Sequence, residues 1–337
     1  MSRPCIALIA DPTSSEGCRE YLATAVELLT GASAVRIDAR HFAPDGTGCA
    51  VPDGDRLRLK VPEEGLDFVP DVVVVYEIPP HRRQGLAAFQ QLLEAHHVVT
   101  LATGTDAWRT ATEKNLTVAR FARDGVAQMD TEVLSRPGAR EAETAFHRLG
   151  GDTWARPVIG TGGNDTFHVT TPVQLEEAAA FYAERGTDWL LSRDARNIRP
   201  DGARHQFRVF VLGGRVIHAR EHVQPRTDTP CNTCQGATAL HITPENLPAR
   251  LTELAVAATA SVGLPFAGVD LAVENGGVVF EVNVHPAFVD GELELQRVAV
   301  PYIQAHLDAL TLARGDRPTV APRARASLGR GGRLSTH

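Results

Sequence analysis

Phe266-Ala-Gly-Val-Asp-Leu-Ala-Val-Glu-Asn-Gly-Gly-Val-Val-Phe-Glu-Val-Asn-Val-His-Pro286 is the stretch whose reading decides the fold. Asn275-Gly276 between two β-branched runs is a strong hairpin signal, a two-residue turn with positive φ at both centres. With that turn, partners across the ladder have residue numbers that sum to 551. Asp270 then faces Glu281 directly, and Asn283 lies on the same face two residues on. The opposite face carries Val269, Leu271, Val273, Val278, Phe280 and Val282, a core face. Carboxylates paired in this way stand ~5 Å apart at Cβ and repel unless a cation lies between them. A hard cation such as Mg²⁺ takes a few carboxylate or amide oxygens and leaves its other positions to water and phosphate. A solvated hairpin with an accidental acidic pair is the bland alternative. A metal site is the reading that explains the pair.

Upstream, His205–Arg220 reads as a second hairpin turning at Gly213-Gly214, with Arg208 on the face opposite Phe207 and Val209. Before it, Trp154-Ala-Arg-Pro-Val-Ile-Gly-Thr-Gly-Gly-Asn-Asp-Thr-Phe-His-Val169 reads strand, glycine loop, strand. Glycines there allow positive φ, so successive N–H groups can form a nest for phosphate oxygens; a ligand-free surface hairpin is the plain alternative. A helix follows over Pro172–Arg185. Downstream, Thr243-Pro244 predicts an N-cap and first turn of a helix through Leu247–Val262, closed by Gly263. A final helix spans Leu293–Leu310, and beyond Arg314 the chain is Pro, Gly, Ser and Arg without periodicity, read as a mobile basic tail.

The first hundred residues alternate strand and helix. The strands are Ile6–Ala10, Ala34–Ala39, the Val-rich Asp71–Ile78 and Val98–Ala102, with helices over Ser15–Leu29 and Arg83–His96. That alternation predicts a small parallel α/β layer buried on both faces. Ala43–Gly65 is expected as loop with one short strand, Leu57–Val61. A chain of 337 residues suggests two or three packed subdomains. No apolar run reaches the length of a membrane span, and the N-terminus lacks the h-region of a signal peptide. Five cysteines without framework spacing point to a reducing cytoplasm. A net charge of −7 gives no reason to expect nucleic acid. Only Lys60 and Lys114 are lysines, which makes each a candidate for a specific role.

Gly-Val-Asp followed by Glu-Val-Asn, after a helix ending in Gly-Leu-Pro, resembles the metal-binding end of the ATP-grasp superfamily, and more closely RimK-type glutamate ligases and their relatives in peptide and natural-product biosynthesis. The resemblance runs from about Asp106 to about Leu310. It implies an α/β (α+β) ATP-grasp fold, two α+β subdomains clamping ATP behind a small parallel pre-ATP-grasp domain. The implied divisions are residues 1–104, 105–195 with the glycine loop, 196–312 with the metal site, and a basic tail at 313–337.

The same resemblance implies roles for particular residues. Asp270, Glu281 and Asn283 hold one or two Mg²⁺ ions, for which Mn²⁺ can substitute. Lys114, Arg156 and the Gly160-Thr161-Gly162-Gly163 loop position the ATP phosphates. Arg208 stabilises the phosphoryl group or tetrahedral intermediate, and Arg220 is a second candidate for the substrate carboxylate. Ser192 and Arg193 stand where relatives carry a Gln-Glu hinge against adenine and ribose, and Asn232 stands in a loop near the phosphates. The sequence departs from the family pattern at three places: Arg156 replaces a lysine, Ser192-Arg193 the hinge, and Gln206 an acid. Cys231-x-x-Cys234 lacks the further ligands a zinc site needs, and Pro230 and Gly236 argue against a redox helix. His285 is a candidate substrate contact or an ordinary packing residue.

Together these imply an ATP-dependent carboxylate–amine ligase working through an acyl phosphate, releasing ADP and phosphate. The partners expected are a small-molecule carboxylate and amine, or a peptide or carrier protein; a homodimer is compatible with this. Three alternatives stay open: an intramolecular cyclo-ligase or macrocyclase, a carrier-protein ligase, and a degenerate protein that binds nucleotide without turnover.

Overall fold

The computed structural model describes residues 3–14, 16–135, 138–289 and 291–315. Strands β1 (Ile6–Ala10) and β2 (Val35–Asp38) pair in parallel across helix α1 (Cys18–Thr30), and β6 (Val72–Val75) flanks β1 on its other side. Both β1 and β6 are buried along their whole length, which is why they read as unbroken apolar runs rather than alternating ones. Between them, β3 (Cys49–Asp53), β4 (Arg56–Val61) and β5 (Leu66–Phe68) form a separate antiparallel sheet.

That second sheet corrects the expectation of a loop over Ala43–Gly65. Leu57, Leu59 and Val61 alternate with Arg56, Arg58 and Lys60, so one face is dry and joins the main core. The other is laced by Arg58 to Asp53 at 2.8 Å and to Asp67 at 3.0 Å. The strand expected at Val98–Ala102 is reduced to a bridge between Val72 and Val99.

After α2 (Pro80–Arg83) and α3 (Ala87–Ala95), the helices α4 (Thr105–Thr112) and α5 (Lys114–Asp124) lead into the middle region. There β7 (Thr131–Leu134), α6 (Ala139–Arg148), β8 (Thr153–Pro157), β9 (Phe167–Val169), α7 (Pro172–Arg185) and β10 (Trp189–Arg193) build an antiparallel sheet of order β7-β10-β8-β9. Both helices pack on one face around Phe146, Leu175, Tyr182, Trp189 and Leu191. A reciprocal capping box between Thr171 and Gln174 fixes where α7 starts.

The last sheet is antiparallel, of order β13-β12-β11-β14-β15, from β11 (Arg204–Leu212), β12 (Arg215–Gln224), β13 (Thr238–Ile242), β14 (Phe266–Ala272) and β15 (Val278–Asn283). Phe207, Val209, Val211, Val269 and Leu271 turn to α8 (Ala249–Val262) and the main core. The helix starts later than Thr243 suggests. Pro248 disfavours helical backbone at Leu247, which stays extended, so Thr243-Pro244 opens only a short 3₁₀ turn.

The C-terminal helix is also broken, into α9 (Gly291–Glu294), a π turn over Leu295–Ala299 and α10 (Val300–Ala313). Pro301 has no N–H to give an α-type bond, and the turn before it widens. The basic tail expected beyond Arg314 lies outside the described residues after Gly315. No helix among the described residues is long and apolar enough to cross a membrane.

Candidate active site

The β14–β15 ladder pairs Gly268 with Asn283, Val269 with Val282 and Asp270 with Glu281, each summing to 551. The turn that delivers this register differs from the two-residue one expected. Ala272 pairs with Val278 and Leu271 with Val279, sums of 550, and a bulge at Phe280 restores the offset. Asn275 and Gly276 do take positive φ, 56° and 77°, but inside a longer connection closed by Gly277 at 90°. The bulge also corrects the faces. Val279 enters the core at 2% exposure, Phe280 turns to the cleft, and Val273 is 37% exposed.

Pairing on the other strands extends the acidic pair into a row across the sheet. His241, Arg220, Arg208, Asp270 and Glu281 stand opposite one another on five successive strands. Neighbouring like charges such as Arg220 and Arg208 repel, and each has its own counter-charge. Arg208 forks onto Asp270, Nε to Oδ1 at 2.5 Å and Nη2 to Oδ2 at 2.6 Å. Burial pulls the Arg208 guanidinium down, and Asp270 raises it by more, so it stays protonated. Arg220 pairs with the buried Glu294 and donates to Ala287 O at 2.8 Å and His222 Nε2 at 3.0 Å. Burial drives His222 down to about 2, so it accepts from Arg220 as a neutral ring. Asn283 donates from Nδ2 to Asp270 Oδ2 at 3.2 Å.

The facing wall comes from the middle region. Lys114 opens α5, is 7% exposed, and reaches Glu281 Oε1 at 3.1 Å and Gly160 O at 3.4 Å. Arg156 on β8 donates to Ser192 Oγ at 3.0 Å and Phe280 O at 3.3 Å, while its buried Nε has no partner. Burial lowers its pKa, with Glu281 opposing. Ser192 thus supports Arg156, and it also shares a hydrogen bond with Thr131 Oγ1 at 2.9 Å. The Arg193 side chain turns to Asp130 at 2.9 Å and Leu149 O at 3.2 Å.

The glycine loop needs its glycines. Gly162 and Gly163 have φ of 67° and 73°, and a Cβ at Gly163 would lie 2.8 Å from Pro230 Cβ. Gln235 ties the neighbouring loop to it, donating to Gly162 O at 3.2 Å and Asn164 Oδ1 at 3.1 Å. Asn232, on that neighbouring loop, accepts from Cys234 N at 3.0 Å. Cys231 is buried with its thiol pushed up to about 12 by burial and donating to His222 O, whereas Cys234 is exposed.

Lys114, Arg156, the glycine loop, Arg208, Arg220, Asp270, Glu281 and Asn283 line one cleft of ≈ 200 Å³, with an apolar stretch including Met129 and Phe280. The donor set fits a hard divalent cation. Asp270 Oδ2 is taken up by Arg208 and Asn283, but Oδ1 has a lone pair to spare. Glu281 spends only Oε1 on Lys114, and Asn283 uses its Nδ2, leaving the amide oxygen. A second acid–imidazole group, Asp152, His168 and Asp194, gathers beside the cleft, which Asp194 lines. Asp194 there is held by Arg204 at 2.6 Å, so the group is an ion-pair cluster.

Three comparisons bear on this geometry. Residues 197–296 match the RimK-like ATP-grasp domain. An 82-residue stretch is 42% identical to a probable alpha-L-glutamate ligase of Parasynechococcus marenigrum (strain WH8102), covering 23% of this chain and 16% of that relative. Among solved structures, D-cycloserine synthetase DcsG superposes with a TM-score of 0.65 at 19% identity, over 91% of this chain and 99% of the other. ATP-grasp ligase PsnB, in complex with a minimal precursor, gives 0.60 at 15% identity over 91% and 100%. The chain has the ATP-grasp fold, and within it residues 197–296 are similar to the RimK-like ATP-grasp domain.

Several lining residues escaped the sequence reading. Arg83 and Glu16 come from the N-terminal layer, Thr112 from α4, and Glu294 holds Arg220 from below. The parallel alternation of the first hundred residues carried the one available signal, since ligands favour the carboxyl ends of such strands. His285, a candidate substrate contact, accepts from Ile78 N at 3.3 Å and packs on Tyr76 and Trp108. Burial, followed by the charge of Arg83, holds it neutral.

Proposed function

We propose that the protein is an ATP-dependent carboxylate–amine ligase that activates an acid as its acyl phosphate and releases ADP and phosphate. The observation that carries this reading is the convergence of Asp270, Glu281 and Asn283 with Lys114, Arg156 and the Gly160–Gly163 loop on a single cleft. Asp270, Glu281 and Asn283 would hold Mg²⁺, which would supply positive charge against the polyphosphate. Lys114, Arg156 and the loop N–H groups would fix the polyphosphate. Met129, Phe280 and Trp154 offer apolar surface to the base.

Arg208 is anchored by Asp270 and so cannot swing. It meets charge developing on the phosphoryl oxygens or the tetrahedral centre without reorganising, the arrangement by which preorganised donors lower a barrier. Positioning and charge neutralisation supply the catalysis, and no protein nucleophile is required. The amine then attacks the acyl carbon, phosphate leaves, and an amide remains. Neighbours named as a D-cycloserine synthetase and a ligase bound to a precursor support an amino acid or peptide substrate in natural-product biosynthesis. Five free cysteines are compatible with a cytoplasmic setting.

The test is release of ADP and phosphate from Mg·ATP with pooled amino acids, small diacids and peptides, using Asp270→Asn as control. Release that depends on one pool and disappears in the variant supports the ligase. AMP and pyrophosphate would overturn the chemistry. A product lighter than a single substrate by one water would identify the intramolecular version, and binding of Mg·ATP without turnover on any pool would favour the non-catalytic one.

A further inference from the structure

Seven cationic side chains line the cleft. Five of them, Lys114, Arg193, Arg204, Arg208 and Arg220, sit in ion pairs. Among the described residues, Arg156 and Arg83 are the two without a carboxylate within 4.0 Å. The phosphate wall accounts for Arg156. Arg83 belongs to a different wall, the N-terminal layer, and the proposed roles of ATP and metal do not use it.

Arg83 is the last residue of α2, just past the carboxyl end of β6. Its Nε donates to Ile78 O at 3.0 Å and its Nη1 to Thr112 Oγ1 at 3.1 Å. Two of its five N–H donors are thus engaged, and on this cleft-lining residue neither proton of Nη2 is engaged by a described residue. Burial draws its pKa down to about 10, with Glu16 and Glu281 opposing, so the group is still a cation at neutral pH. A half-buried guanidinium with no carboxylate in ion-pairing distance is costly, and the cost falls when an anion arrives.

The surroundings are rigid and placed for a ligand. The parallel strands β1 and β6 end side by side, and ligands bind beyond such ends. Glu77 is buried there and ties the end of β6 to the start of α1, accepting from Gly17 N at 3.0 Å and Arg19 N at 2.7 Å. Thr112, which orients Arg83, lies two residues before Lys114, so the guanidinium is linked to the segment that reaches Glu281. Neutral His285 adds no competing charge. Glu16 lines the same wall outside ion-pairing distance of Arg83.

Resting on the ligase reading, we infer that Arg83 anchors a non-reacting carboxylate of the substrate, so that the enzyme takes an amino acid or peptide with a free carboxylate rather than a neutral amine. A planar guanidinium with an open edge suits a planar carboxylate, which it can bind with two parallel hydrogen bonds. The nucleotide's terminal phosphate is the other oxyanion source in this cleft, and the test separates the two.

The full chain, loaded with Mg·AMPPNP, is mixed with a pool of free amino acids and, separately, with the same amino acids as carboxamides. Binding is followed by saturation-transfer NMR and turnover by ADP release with Mg·ATP. The expected result is that the wild type binds the free acids and not the carboxamides. Arg83→Gln should raise KM for the free acid by ~10- to 100-fold, the loss expected for a charged hydrogen bond, with the Kd for Mg·ATP unchanged. Arg83→Lys, which keeps the charge but not the fork, should fall between them.

Equal use of carboxamides by the wild type, an unchanged KM in Arg83→Gln, or a weakened Kd for Mg·ATP in that variant would each overturn the inference. So would a wild type that binds Mg·ATP but neither pool, a result that leaves the ligase reading intact for other acids. Failure to bind Mg·ATP at all would defeat the ligase reading, and this inference with it.

Discussion

Two arginines reach the same cleft from two sheets and are treated in opposite ways. Arg208, from the five-stranded sheet, is gripped through two hydrogen bonds by Asp270. Arg156, from the four-stranded sheet, has a serine hydroxyl and a carbonyl for company and no carboxylate. The five-stranded wall balances its charges internally, with Arg208 against Asp270, Arg220 against Glu294, and Glu281 against Lys114 from across the cleft. Balanced charges hold one another in place and keep a fixed geometry. An unbalanced one has its counter-charge supplied from outside, and a polyphosphate is the natural donor.

The largest effect expected from this contrast is at Asp270. Asp270→Asn should lower turnover by roughly two to three orders of magnitude. It should also destabilise the fold by about 3 kcal/mol, because Arg208 is left as a buried cation without its counter-charge. Steady-state ADP release and a denaturant titration read the two effects. Arg156→Gln should do the reverse in kind: a Kd for Mg·ATP weakened ~10- to 100-fold, with unfolding free energy unchanged or slightly improved. Equal loss of stability in both variants would erase the distinction between the walls.

Gly163→Ala sharpens the comparison at the backbone. A side chain there meets Pro230 and takes a strained φ of 73°, costing about 1–3 kcal/mol. Nucleotide affinity should fall with it, measured by isothermal titration calorimetry.

The smallest effect concerns His168, whose pKa is raised chiefly by its hydrogen bond to Asp194, with burial opposing and Asp152 adding to the rise. A raised pKa in the folded state means the stabilisation is complete below about 6.5, the unfolded value, and is lost as pH rises through the folded one. The melting temperature should therefore decline over that window, and His168→Gln should flatten the decline without altering turnover.

The sequence showed local pairings well and distant ones poorly. The bounds of β1 and α7 follow from a continuous apolar run and from Thr171-Pro172 with Gln174. Asp270 opposite Glu281 came out of the Asn275-Gly276 pattern although the turn is longer than that pattern implies. The longer connection shifts the register by one, and the bulge at Phe280 shifts it back. A bulge leaves little trace in a period-two pattern, so Phe280 was expected on the core face and lines the cleft instead, and Val273, expected there too, is exposed.

The β11–β14 pairing that sets Arg208 against Asp270 joins residues 62 apart, and no turn lies between them to fix the register. Arg83 was invisible for the same reason. Nothing in Pro80-His-Arg-Arg83 marks which arginine faces the cleft; Arg82 turns to Asp11 at 3.2 Å and Arg83 to Thr112. Of the three-stranded antiparallel sheet only the middle strand was expected, because glycine and proline dominate the neighbourhood and its fully buried residues are only Leu57, Leu59 and Val61.

The central claim is that the Asp270–Glu281 pair makes nucleotide binding depend on a divalent cation. Calorimetric titration of ATP into the wild type and Asp270→Asn, with Mg²⁺ and then with excess chelator, tests it directly. Binding to the wild type should be tight and collapse on chelation, and binding to the variant should be weak and not rescued by Mg²⁺. Equal affinity in all four titrations would contradict it.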